Sequence, residues 1–116
     1  MSAENVELAR RGFQAAVSGD FDTVAQMLAP DVQWHGGDPD APGSCHNSDE
    51  ALRFMRNVRP MTELVDVVDA GDKVVAIIRA PGEEQLHANV ATFRDGKVVE
   101  MVHYVNADEA LAAVGR

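Results

Sequence analysis

The turn signals in the second half of the chain constrain its fold more than any other feature. Segments 62–69, 73–80, 85–93 and 97–105 are rich in Val, Ile and Thr, and Ala70-Gly71-Asp72, Pro81-Gly82 and Asp95-Gly96 separate them. β-Branched side chains suit a half-buried pleated surface, while Gly and Asp supply the backbone conformations of tight reversals. The pattern predicts a meander of four antiparallel strands.

Before Pro60 the period is different. Val6, Ala9, Phe13, Ala16 and Val17 recur at three- and four-residue spacing, the apolar stripe of an amphipathic helix ended by Ser18-Gly19-Asp20. Asp20 is placed to cap a second, short helix through Met27, with Phe21, Val24 and Leu28 on one side and Pro30-Asp31 as its stop. Val32, Trp34 and Gly36 alternate with Gln33 and His35 as a short strand, and GGDPDAPGSCHN from Gly36 to Asn47 reads as an irregular loop. Asn47 followed by Glu50 makes a capping box for a third helix, continued by Leu52, Met55 and Val58 until Pro60. At the other end, Asn106 or Asp108 caps a last helical turn with Ala110 and Leu111 that folds back on the sheet or on a neighbour. Helices first and a sheet afterwards predict an α+β fold, and 116 residues make one domain, 1–116.

Charge and composition exclude several classes. Ten Lys plus Arg against nineteen Asp plus Glu leave a net charge of −9, which opposes attraction to phosphate backbones or anionic lipid. Neither nucleic acid nor a membrane is an expected partner. No stretch approaches the roughly 20 apolar residues of a membrane span, and MSAENVELARR lacks the order of a secretory signal, so the cytoplasm is the expected compartment. Cys45 is the sole cysteine, so no internal disulfide forms and no thiol cluster offers a zinc site. His35, Asp38, Asp40 and His46 crowd one loop without ordered spacing, and a solvated loop is the expectation there rather than a metal site. Arg53, Arg56 and Arg59 form a solvated face of the third helix.

Three segments carry a resemblance that spans essentially the whole chain: SGDFDTVAQMLAPDVQWHG, the VVDAGDKVVAIIR hairpin, and FRDGKVVEMVHYVNADEAL. The arrangement resembles the nuclear transport factor 2-like superfamily, and within it the small SnoaL-like members. The resemblance implies a cone-shaped curved sheet with three N-terminal helices enclosing a mostly apolar pocket, often in a homodimer. It implies no cofactor. Relatives include ketosteroid isomerases, polyketide cyclases and limonene epoxide hydrolases.

The catalytic sets of those relatives are missing here. An isomerase needs a carboxylate base and an oxyanion hole of a tyrosine and a protonated aspartic acid. The matching positions in this chain hold Gly36, Gly12 and Asn89. The hydrolases use an Asp-Arg-Asp set, and the aspartate of the last strand is replaced by His103 in Val102-His103-Tyr104, with Arg79 as an arginine near the pocket.

What is left is His103 on the strand that relatives use for pocket chemistry. Imidazole titrates near neutrality and serves as acid or base without a large shift. The expected catalytic pair is His103 and Asn89, with Trp34, His87, Met101, Phe54, Met55 and Arg79 expected to bind substrate. Against this stand plain alternatives: a satisfied core histidine, a His87 that meets solvent at the rim, and a Trp34 that only fills the core. Cys45 and His46 lie in the loop, and nothing electropositive activates the thiol.

Strand register tests the pairing. A two-residue Asp95-Gly96 loop would set Phe93 opposite Val98 and His87 opposite Tyr104. A three-residue Arg94-Asp95-Gly96 loop would set Phe93 opposite Lys97, Asn89 opposite Met101 and His87 opposite His103. The second is the expectation, and it groups His87, Asn89, Ala91, Phe93, Val99, Met101, His103 and Val105 on one concave wall. The opposite face then shows Val98, Val102 and Tyr104, which a symmetric dimer would cover.

Two functions follow. One is a small-molecule enzyme of isomerase, cyclase or hydrolase type, doing acid–base chemistry on a terpenoid, polyketide or steroid-like substrate. The other is a noncatalytic binder of a lipophilic metabolite, or a dimerisation module.

Overall fold

A computed structural model describes residues 2–58 and 63–116. Helix α1 (Ser2–Ser18) and the short α2 (Phe21–Met27) lead into strand β1 (Leu28–His35), and α3 (Ser48–Val58) follows after a loop. Strands β2 (Glu63–Ala70), β3 (Lys73–Arg79), β4 (His87–Arg94) and β5 (Lys97–Tyr104) form the meander, and α4 (Ala107–Ala113) ends the chain. The sheet order is β1-β5-β4-β3-β2, with β1 parallel to β5 and every other pair antiparallel. This is the expected α+β architecture, with α4 as a fourth helix. Pro60, Arg59 and the start of the first meander strand at residue 62 lie outside the described residues.

The predicted caps are present. Asp20 accepts from the Thr23 N–H at the start of α2, and Asn106, rather than Asp108, caps α4 by accepting from the Asp108 N–H at 2.8 Å. Asn47 Oδ1 accepts from the Glu50 N–H at 2.9 Å, while the Glu50 carboxylate reaches back to the His46 N–H at 2.9 Å. The Asp20, Asn106 and Asn47 bonds each satisfy an orphan donor of a first helical turn, whereas the Glu50 bond holds the residue before the Asn47 cap.

β1 begins earlier than the residues suggested. Pro30 lies inside it rather than ending α2, and pairing with β5 shifts between Leu28↔Val98 and Gln33↔Glu100. A proline has no N–H for a ladder, so it is tolerated because β1 is an edge strand and the irregularity falls around it. The clash of Pro30 with the residue before it also favours extended backbone at Ala29, which stops α2 at Met27.

Two layers of helix cover the sheet. On the inner face, Ala15, Ala16, Val24, Ala51 and Met55 from α1, α2 and α3 pack with Val74, Ala91, Phe93 and Val98. On the outer face, Ala107 and Ala110 of α4 close over Val75, Ile77, Ala88 and Val90. Coverage from both sides explains why consecutive Val74 and Val75 are both fully buried. α1 departs from its predicted stripe at one point, since Val17 is 41% exposed.

The β4–β5 hairpin corrects the expected register. Asp95 at φ 55° and Gly96 at φ 78° form a two-residue turn, and Phe93 pairs with Val98. Both central residues of such a turn need left-handed backbone, which Gly adopts freely and Asp tolerates. The register then slips by one residue between Phe93 and Thr92, so that Thr92 pairs with Glu100, Ala91 with Met101 and Asn89 with His103. Neither predicted ladder holds along the whole hairpin, and His87 is opposite neither Tyr104 nor His103. The slip absorbs Val99 as a bulge, which turns Val98 inward beside Met101. Val98 therefore belongs to the inner core, not to the outer face. Tyr104 packs against the α4 cluster, so the chain's own last helix covers part of the surface expected for a dimer.

Candidate functional site

The inner face of the cone encloses a cavity of about 170 Å³. Alternation along the strands aims Val74, Ala76 and Ile78 of β3, Asn89, Ala91 and Phe93 of β4, and Met101 of β5 into it, and α1, α2 and α3 close the other side. Among the described residues lining it, Asn89 alone carries an amide, hydroxyl or ionisable side chain. Trp34, Phe54, Met55 and Met101 are in the wall.

A second, more open cavity of about 520 Å³ adjoins it beneath the 36–45 loop. Gly36, Asp38, Pro42, Ser44 and Cys45 line one side, and His103 the other. Trp34, Phe54 and Asn89 border both spaces. The Trp34 and Phe54 rings meet edge to face, with centroids 5.9 Å apart. The loop itself is pinned rather than loose, because Trp34 and Cys45 exchange two backbone hydrogen bonds of 2.9 and 2.8 Å. Ser44 Oγ also donates to the Asp38 carbonyl at 2.9 Å.

His103 and Asn89 form a dyad at the junction. His103 Nδ1–H donates to Asn89 Oδ1 at 2.8 Å. An amide oxygen only accepts, so this bond puts the proton of the neutral ring on Nδ1 and leaves Nε2 with a lone pair. Burial pushes the His103 pKa below its usual value of 6.5, and the charge that His87 can carry adds to the shift. The result is a neutral imidazole at physiological pH. Asn89 Nδ2 has no protein acceptor among the described residues, which leaves an amide donor at the edge of an apolar cavity.

His87 does not line either cavity. It stacks on His103, with ring centroids 5.7 Å apart and planes 25° from parallel, and its Nε2 approaches Glu83 Oε2 at 3.3 Å. Arg79 is also outside both cavities. It is adjacent to the inward-facing Ile78 and so points the other way, where its Nη2 donates to Glu63 at 2.8 Å. The other loop residues are engaged as well. The Gly37 N–H donates to His35 Nδ1 at 3.0 Å, so His35 carries its proton on Nε2 and donates to Glu100 at 3.0 Å. His46 Nε2 lies 2.8 Å from the Pro39 carbonyl, which raises its pKa together with Glu50. Cys45 is buried, and burial followed by the Glu50 charge raises its thiol pKa. It has the character of a core thiol rather than a nucleophile.

Sequence reasoning missed the part of the wall supplied by α1 and α2. Leu8 and Met27 line the inner cavity beside Gly12, the position that the resemblance matched to the isomerase tyrosine. A Cβ at Gly12 would come within 3.3 Å of Met27 Sδ, so larger residues there would take up cavity space. The helical stripe pointed to this face, but only the packing tells which turns meet the cavity.

Family comparison agrees with this geometry. A profile of the SnoaL-like domain matches residues 9–101. The chain belongs to the SnoaL-like family. No curated protein matches it significantly in sequence. Among solved structures, the SnoaL-like chain is similar to Bal32a from a soil-derived mobile gene cassette, with a TM-score of 0.75, 21% identity and 89% of each chain covered. It is also similar to a candidate polyketide cyclase from Sinorhizobium meliloti, at 0.69 and 19%, over 84% of this chain and 93% of the other. A candidate ketosteroid isomerase from Kribbella flavida gives 0.72 and 18%, over 88% of this chain and 77% of the other. At these identities the likeness shows the fold, which is nuclear transport factor 2-like. No helix among the described residues is long and apolar enough to cross a membrane.

Proposed function

We propose that this SnoaL-like protein binds a small apolar molecule bearing a carbonyl or hydroxyl group and moves a proton on it. The observation that carries the reading is the His103–Asn89 pair beside an otherwise apolar cavity. His103 Nε2 is the base, because the ring is neutral and its other nitrogen is held by Asn89. Asn89 Nδ2 donates to the substrate oxygen, stabilising the negative charge that grows there as a proton leaves the neighbouring carbon. Trp34, Phe54, Met55 and Met101 hold the apolar part. The candidate cyclase and isomerase among the structural relatives favour this class of chemistry by analogy of fold.

Hydrogen–deuterium exchange tests the reading directly. Native protein incubated in heavy water with a panel of cyclic ketones and enones is followed by proton NMR, with His103→Gln in parallel. The expected result is protein-dependent loss of the proton next to the carbonyl, reduced about a hundredfold or more in the variant with folding retained. Equal exchange in both proteins would overturn the role of His103.

A noncatalytic binder is the second reading, and one observation favours it. The inner cavity holds no carboxylate among the described residues, so the chemistry rests on His103 alone. A ligand bound by both native protein and His103→Gln, without exchange in either, would establish that reading.

We also propose a homodimer. Val102 is half-buried and Val105 is 61% exposed at the end of β5, and a second copy would cover both. Sedimentation equilibrium should return twice the chain mass, and a single-chain mass at micromolar concentration would dismiss the dimer.

A further inference from the structure

The two cavities differ in size, openness and polarity, and this difference bears on what kind of molecule the site takes. The inner space is about 170 Å³ and the outer about 520 Å³. A closed apolar cavity of roughly 150 Å³ accommodates one benzene ring. Four fused rings exceed the inner space several times over. The remainder of such a skeleton would have to lie in the outer cavity, which is more open and carries Asp38 and Ser44 beside Trp34, Phe54 and Pro42, so less of its apolar surface would leave water there.

Trp34, Phe54 and Asn89 are the side chains shared by both cavities, so they form the neck between them. The edge-to-face contact of the two aromatic rings sets its width, and the free amide donor of Asn89 sits where an oxygen function would pass. Charge narrows the choice further. Among the described residues lining either cavity there is no Lys or Arg, while Asp38 lines the outer one. Arg79 is paired with Glu63 outside both. A carboxylate or phosphate on the ligand would therefore meet no Lys or Arg, only the imidazoles of His35 and His103 in the outer cavity with the Asp38 carboxylate beside them, and in the inner cavity it would be desolvated with no ionisable group among the described residues lining it.

We propose that the site is bipartite and takes a neutral molecule with a single small apolar ring, its one oxygen function held by Asn89 at the Trp34–Phe54 neck. Any further polar substituent lies in the outer cavity. This rests on the proposed function and deepens it, choosing a monocyclic, uncharged skeleton over multi-ring or anionic ones. Phe54 acts as the size filter. It is 43% exposed, so shortening it widens the neck without emptying the core.

Binding measurements test this apart from any reaction. Trp34 is the only tryptophan and borders both cavities, so its fluorescence reports occupancy of either. Three probes are titrated: carvone as a neutral monocyclic enone, perillic acid as its anionic counterpart, and androst-4-ene-3,17-dione as a four-ring dione. Carvone should bind at least tenfold more tightly than either of the others, and Phe54→Ala should reduce its advantage over the four-ring compound by about tenfold. Steroid affinity equal to that of carvone would overturn the size filter, and equal affinity for perillate would overturn the charge selection. Failure of all three to bind would overturn the bipartite site itself. The expected selectivity without His103-dependent exchange would leave this proposal standing and remove the catalytic one.

Discussion

His103 Nδ1 and Asn89 Oδ1 lie 2.8 Å apart as partners across the β4–β5 ladder, and that pairing exists because of a bulge. Were Val99 paired in the ladder instead of bulged, the two-residue turn would carry Phe93↔Val98 through to the far end and set Asn89 opposite Val102. The slip moves His103 into place. Deleting Val99 should therefore remove the bulge yet keep Asn89 opposite His103, because Glu100 would then follow Val98 directly in a regular ladder. The proton-bearing nitrogen of His103 is measurable by long-range nitrogen–proton NMR. Native protein should show Nδ1–H, and Asn89→Ala a mixture weighted towards Nε2–H, since about 1 kcal/mol of hydrogen bond is lost. An unchanged tautomer in the variant would show that Asn89 does not orient the ring.

Acid should weaken the native state through His103. Its folded pKa lies below the unfolded value near 6.5 because burial, and then the charge on His87, disfavour the imidazolium. Such a group contributes stability above its unfolded pKa, and that contribution is lost as pH falls through the folded value. His46 has the opposite sign, since its raised pKa adds stability below the unfolded value and loses it as pH rises, but it is solvent-exposed and its effect is screened. Urea midpoints taken between about pH 7.5 and about pH 5 should fall more steeply for native protein than for His103→Gln. Parallel curves would contradict the assignment.

Cys45 should resist alkylation in the folded protein. Its thiol is buried, paired through its backbone to Trp34, and raised in pKa by burial. Iodoacetamide near neutral pH should modify it only on the timescale of unfolding, and fully in denaturant. Trp34→Ala should weaken ligand binding by about tenfold or more, whereas Cys45→Ser should change it little, because Trp34 borders both cavities and Cys45 only the outer. Equal effects would count against the neck.

The α4 layer makes a stability prediction. Ile77 is 8% exposed beneath α4, so Ile77→Ala should cost about 2–5 kcal/mol. Val65 at the β2 irregularity is 42% exposed, and Val65→Ala should stay within about 0.5 kcal/mol. Denaturant titration of both variants checks the contrast. A small loss at Ile77 would mean that the outer cluster contributes little.

Much of the fold was legible in the residues because it rests on local rules. Asp20, Asn47 and Asn106 announce their helices through side-chain oxygens that serve nearby backbone donors, and Gly71 and Gly96 mark reversals that need left-handed backbone. The inward set Asn89, Met101 and Trp34 was legible for the same reason, since alternation along a strand repeats every second residue. Arg79 shows the limit of a borrowed position. Its neighbour Ile78 faces the cavity, so alternation alone sends Arg79 outward to Glu63.

The sequence by itself determined the element order, the caps, the turns and the apolar character of the inner face, all of which depend on residues close together in the chain. Only the tertiary structure decided three things that depend on distant partners. The bulge at Val99 chose which residues cross-pair, because a slip of one residue changes little in local preference and everything in facing. α4 took the outer face because Val75, Ile77 and Val90 needed cover that no single segment reveals. The division into an inner cavity and an outer one came from Trp34 meeting Phe54 across the fold, since the volume of a cavity belongs to the packed assembly and to no stretch of sequence.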